Sequence, residues 1–102
     1  MIKLIDVKQK YFGFTMAEIL PGIKNQLSKY INEIKNPELL DNFWNELDKC
    51  PATVEAAENI QTKLYDAIDK CEISNNTMFV LLFQSIVSSI GLLITKLKED
   101  NE

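Results

Sequence analysis

The chain has 102 residues, 46% of them hydrophobic and 25% charged, which is the composition of one folded domain and excludes a disordered or fibrous segment. It contains neither His nor Arg, so the side chain that titrates near neutrality and the fork that grips phosphate are both missing. Any proton transfer would fall to Asp, Glu, Lys or Tyr, and nucleic-acid binding would rest on Lys alone. An AT-rich coding bias toward Lys, Asn and Ile is the favoured cause of the missing Arg, and the functional consequence is the same.

The net charge of −4 is unevenly placed: residues 1–36 carry +3, residues 37–72 carry −6 and the remainder carries −1. The middle third therefore repels duplex DNA and anionic membrane surfaces and suits a basic protein surface.

Residues 1–14 have no clean periodicity. Ile2, Ile5 and Phe12 fit a helical spacing, Leu4 and Val7 break it, and Tyr11, Phe12 and Phe14 cluster around Gly13, so a short helix and an extended arm are both consistent with the pattern. These residues carry scattered charges and no uninterrupted apolar stretch of the kind a secretory leader needs. With two cysteines in the whole chain, the expected location is a reducing compartment, the cytoplasm.

Thr15-Met-Ala-Glu18 has the form of a capping box. Pro21 then either kinks a short first turn or opens the helix proper, because it lacks an amide hydrogen and disfavours the helical conformation at Leu20. Ile23, Leu27, Tyr30, Ile31 and Ile34 recur at three and four, which predicts one helix over 15–36. Asn36-Pro37-Glu38 reads as a cap, a first-turn proline and an acid facing the helix dipole, and predicts a second helix over 37–50 with Leu39, Leu40, Phe43, Trp44 and Leu47 on one face. Pro51 ends it. Thr53 caps a third helix over 53–71, with Val54, Ala57, Ile60, Leu64, Ala67 and Ile68 inward. Glu72–Asn76 is a loop that offers Ser and Asn caps to a last helix over 77–98, followed by a frayed tail over 99–102.

Met78–Thr95 is eighteen residues long and uncharged. It can fill the middle of a bundle, meet a partner or a second copy, or enter lipid. Gln84, Ser85, Ser88 and Ser89 gather on one side of it, and it has no Trp or Tyr at its ends, both of which favour the bundle over lipid. Phe79, Leu82, Phe83, Ile86, Ile90, Leu93 and Ile94 are then its core positions, while Ser85, Ser88, Ser89 and Gly91 would let another helix approach closely. The expected architecture is all-α: a single-domain antiparallel four-helix bundle with a very apolar C-terminal helix and a short N-terminal helix or arm.

The two cysteines close a four-residue echo, Leu47-Asp-Lys-Cys50 and Ile68-Asp-Lys-Cys71. With a helix between them they stand about 25 to 30 Å apart, too far to bond. No glycine-rich phosphate loop, Cys or His metal set, or nucleophile elbow is present, so the sequence points to no enzyme, metal or cofactor. Glu55 with Glu58 and Asp66 with Asp69 supply too few oxygens for a hard cation and read as a solvated face.

In size and expected shape the chain is similar to small helical immunity proteins of bacteriocin producers and to phage-encoded helical inhibitors, a likeness of form that no motif carries. The leading expectation is a small non-enzymatic regulator or inhibitor that binds a basic protein surface through Asp41, Asp48, Glu55, Glu58, Asp66 and Asp69. The alternatives are a bundle that self-associates, as a homodimer, through Ser85, Ser88, Ser89 and Gly91 together with Tyr11, Phe12 and Phe14, a small membrane-associated protein, and a ligand-sequestering bundle.

Overall fold

The computed structural model describes residues 2–9 and 13–100. Four helices are present: α1 (Met16–Ser28), α2 (Pro37–Lys49), α3 (Val54–Lys70) and α4 (Thr77–Asp100). Single 3-10 turns occur at Leu4–Asp6, Ile31–Glu33 and Ile73–Asn75, and no strand is found among the described residues. The protein is all-α.

Successive helices run antiparallel. The short link from Cys50 to Thr53 turns α3 back on α2, and Lys63 of α3 meets Glu46 of α2 at 2.8 Å. Glu58, early in α3, meets Lys98, late in α4, at 3.4 Å. Tyr30, just after α1, stands edge-on to Phe79 at the start of α4, while Lys96 near the end of α4 donates to the Lys8 carbonyl ahead of α1. Lys24 of α1 lies over the Trp44 ring of α2, so α1 sits between α2 and α4 and closes the bundle.

Packing follows the apolar periodicities. Phe79, Phe83, Ile86, Ile90, Leu93 and Ile94 of α4 are buried against Leu40, Phe43 and Leu47 of α2 and Ala57, Ile60, Leu64 and Ala67 of α3. Leu82 is half-buried instead of lying in the core, because it falls on the flank of α4 rather than on the stripe defined by Phe79, Ile86 and Leu93.

Three local expectations are revised. The first helix does not continue to residue 36: it stops at Ser28, where Lys29 and Tyr30 bond back to the Gln26 and Leu27 carbonyls in a tightened last turn. The following 3-10 turn folds Tyr30, Ile31 and Ile34 onto the end of the core as half-buried residues, which a straight helix would carry past it. Pro21 lies within α1, exposed, where water can serve the Ala17 carbonyl that its missing amide leaves unpaired. Glu18 does reach back to the Thr15 amide at 2.8 Å, as the capping box requires.

Asn36 does not cap α2 with its side chain. Its backbone is left-handed (φ 51°), and its Nδ2 donates instead to the Lys70 carbonyl at the end of α3 (3.1 Å). Lys35 adds a backbone bond to the Cys71 carbonyl (3.1 Å) and an ion pair to Glu72 (3.2 Å). The loop before α2 thus satisfies carbonyls left open at the carboxyl end of α3. By contrast Thr53 caps as expected, its Oγ1 accepting from Ala56, and of the Ser and Asn residues ahead of α4 it is Asn76 whose Oδ1 accepts from both Met78 and Phe79.

The amino-terminal segment holds a short 3-10 helix, one of the two expected forms, and it is packed against the bundle. Leu4 and Ile5 are buried in a 3-10 turn, and the Leu4 amide and Ile2 carbonyl bond to Cys50 and Ala52 in the link between α2 and α3. At the other end α4 continues through Asp100 instead of fraying at 99, helped by half-buried Leu97 and by the Lys98 pair with Glu58. Residues 101 and 102 lie outside the described residues.

Ile86→Ala is expected to cost about 2–5 kcal/mol in urea unfolding, as large-to-small core changes do. Asn36→Ala should cost about 1–2 kcal/mol, through the left-handed backbone and the lost bond to Lys70, and Asn36→Gly less, because glycine relieves the backbone part.

Candidate protein-binding surfaces

The six carboxylates expected to bind a partner are all exposed, but the bundle divides them. On α2, Glu46 marks the side that faces α3 through its pair with Lys63. At 100° per residue, Asp41 and Asp48 lie about 140° and 160° around the helix from it, on the side away from α3. They flank Trp44, which is half-buried between Phe43 and Phe83 with Lys24 Nζ 5.3 Å from its ring. Trp44 is a seam residue joining α1, α2 and α4.

Glu55, Glu58, Asp66 and Asp69 instead share the outer face of α3, opposite Ile60, Leu64 and Ala67. Asp66 is paired with Lys70 (3.1 Å) and Glu58 with Lys98 (3.4 Å), both in solvent, where such pairs contribute little. Tyr65 stands among them and is 52% exposed. Sequence reasoning overlooked this residue, although its position was visible: it falls off the Ile60, Leu64, Ala67 stripe and beside Asp66, four residues before Asp69 and seven after Glu58.

A second surface lies between α1 and α4. Phe14, Ile19 and Ile23 on one side and Leu81, Ser85, Ser88 and Leu92 on the other line an open groove of about 530 Å³. Ser85 and Ser88 are exposed along it, and Ser89, which also lines it, is buried. Gly91 allows no close approach within the chain, since a Cβ placed there would meet nothing within 4 Å. Gln9 lines the groove near Leu92; it is 4% exposed and its Nε2 has no hydrogen-bond partner. Tyr11 and Phe12, the other members of the expected aromatic cluster, lie outside the described residues. Met78 and Leu81 are exposed on α4, a fact hidden in a sequence where every position of the segment is uncharged.

By length and composition α4 is a helix that could cross a membrane, and a core helix meets the same criteria. Among the described residues no three His, Cys, Asp or Glu side chains converge as a cation site would require.

Cys50 and Cys71 are free and buried, each just past the last residue of its helix, α2 and α3 respectively. The Cys71 thiol donates to the Asn36 carbonyl (3.4 Å), inside the contact that joins the start of α2 to the end of α3. Burial pushes both thiols up: Lys63 offsets this in part at Cys50, whereas Glu38 adds to it at Cys71. Both are therefore held as neutral thiols, the poorly nucleophilic form.

Comparison with protein families, with curated proteins and with solved structures returns no match.

The raised thiols make stability depend on alkalinity. Below the ordinary thiol value of 9.0 the folded and unfolded chains hold these protons equally; above it the unfolded chain loses them first, so stability falls toward the raised folded values. Urea unfolding at stepped pH should show this decline, and it should flatten in the Cys50→Ala, Cys71→Ala double variant.

Proposed function

We propose that this protein is a small non-enzymatic regulator or inhibitor, working in the reducing cytoplasm, that binds a basic protein surface with the outer face of α3. The observation that carries this reading is Tyr65, a large aromatic half-exposed among Glu55, Glu58, Asp66 and Asp69. Tyrosine is enriched among the few residues that dominate binding energy, because its ring fills a pocket while its hydroxyl keeps a polar partner. The carboxylates around it supply long-range attraction and suppress acidic partners.

The rest of the molecule is consistent with a binder. The face lies on a regular helix whose opposite side is anchored in the core, so little ordering is needed on association. Asp69 and Glu55 form no ion pair among the described residues and are open to a cationic partner. The two thiols are in the form that does not attack, and their retention as thiols suits a reducing compartment. Asp41 and Asp48 lie outside this surface and serve as its internal control.

The test is retention of proteins from a lysate of the source cells on three immobilised chains: the unmodified one, Glu55→Lys with Tyr65→Ala and Asp69→Lys, and Asp41→Lys with Asp48→Lys. A specific partner should be held by the first and third and released by salt, because exposed charges are screened beyond about 8 Å at physiological ionic strength. Binding to the α3 variant should fall at least about tenfold, the loss of a single hot spot. A partner held equally by the α3 variant contradicts the assignment. Thermal unfolding of both variants should stay close to the parent, since all five positions are exposed.

A further inference from the structure

We propose that the outward face of α4, with the groove beside it, takes a second copy of this chain, α4 packing antiparallel on α4 about a two-fold axis midway between Ile86 and Val87. The face is incompletely covered: 39% of the most apolar 18-residue window of α4 is buried, and Met78 and Leu81 stand 45% and 56% exposed. What points to a second copy is the order of residues along it. About that midpoint Met78 mirrors Thr95, Leu81 mirrors Leu92, and Ser85 mirrors Ser88.

An interface between identical subunits related by a two-fold axis must be complementary to itself. Here the small hydroxyl residues fall at the axis, where two helices come closest, and the leucines fall three turns apart, where each covers the other's partner.

Charge and chemistry separate this occupant from others. The face carries no charge from Met78 to Thr95, so two copies meet on it without burying a charge, although each has a net charge of −4. Lipid is a poor fit, because the polar Gln84, Ser85 and Ser88 sit at the centre of the face, where insertion would be deepest. The buried Gln9 amide near Leu92 gives an independent sign that the groove is unfinished, since buried donors in native structures are almost always paired. In the antiparallel arrangement the first turn of the arriving α4, with the exposed Thr77 hydroxyl, reaches that end.

Size places the interface in a class. Eighteen helical residues span about 27 Å, and with the α1 wall the strip is about 20 Å wide, so about 1,000 Å² in total would be buried, the lower limit of a specific interface. An interface of this size suits a transient pair rather than an obligate one.

Sedimentation equilibrium at about 100 μM, enough to populate a transient pair of micromolar dissociation, should give twice the 11.7 kDa chain mass, insensitive to salt. Ser85→Glu with Ser88→Glu, at exposed positions, should return the mass to one chain with unchanged helicity. Orientation is read by oxidation: chains bearing Leu81→Cys mixed with chains bearing Leu92→Cys should cross-link, whereas Leu81→Cys chains on their own should not. A single-chain mass for the parent overturns the proposal, as does a dimer that the double Glu variant leaves intact or one that cross-links through Leu81→Cys pairs. A monomer that binds neutral phosphatidylcholine vesicles through this face would assign it to lipid. The α3 reading is unaffected by any of these outcomes, since its residues lie on another helix and its binding is salt-sensitive.

Discussion

The eighteen-residue uncharged stretch of α4 presents an apolar stripe that has to be taken out of water, and the other three helices are arranged to cover that stripe. Six side chains of α4, at spacings of three and four, are withdrawn into the core, against residues drawn from the other helices. Burial of that stripe contributes more than the buried face of any other single helix, at about 1.5–3 kcal/mol for each large apolar side chain. The antiparallel order follows from it: with short links, α3 can cover α4 only by turning back on it, and α1 then fills the remaining side.

One contact holds the two ends of this arrangement together. Residues 35 and 36 bond to the carbonyls of Lys70 and Cys71, and Cys71 returns a thiol donor to Asn36. Two left-handed residues, Asn36 and Glu72, turn the chain beside this contact. The left-handed conformation disfavours most side chains, and Asn accepts it better than most because its amide can bond locally. Here the bond crosses to another helix, so a residue that looks like a local cap acts as a tertiary tie.

Polar character is distributed to match. Acids lie on the outer face of α3 and on the far flank of α2, while the outward side of α4 is neutral and mixed in polarity. Two surfaces of different chemistry on one small bundle allow two kinds of contact, one sensitive to salt and one not. Were both proposed contacts made, a paired molecule would present two copies of the acidic face, which would strengthen attachment wherever both could be engaged at once.

The sequence by itself determined the class of fold, the existence and near limits of α2, α3 and α4, the Thr15 and Thr53 caps and the separation of the thiols. All of these rest on local rules: periodicity, capping chemistry and rise per residue. It also showed that the middle third is acidic, but not that Asp41 and Asp48 turn away from Glu55, Glu58, Asp66 and Asp69, because the relative rotation of two helices is set by how their side chains interlock. The end of α1 at Ser28, the role of Asn36, the seating of Leu4 and Ile5 and the exposure of Met78 and Leu81 were decided by tertiary structure alone. In each case the local signal was satisfied equally by two conformations or two faces, and only the partner supplied by a distant segment, Phe79 for Tyr30, Lys70 for Asn36 and the α2 to α3 link for the amino terminus, chose between them.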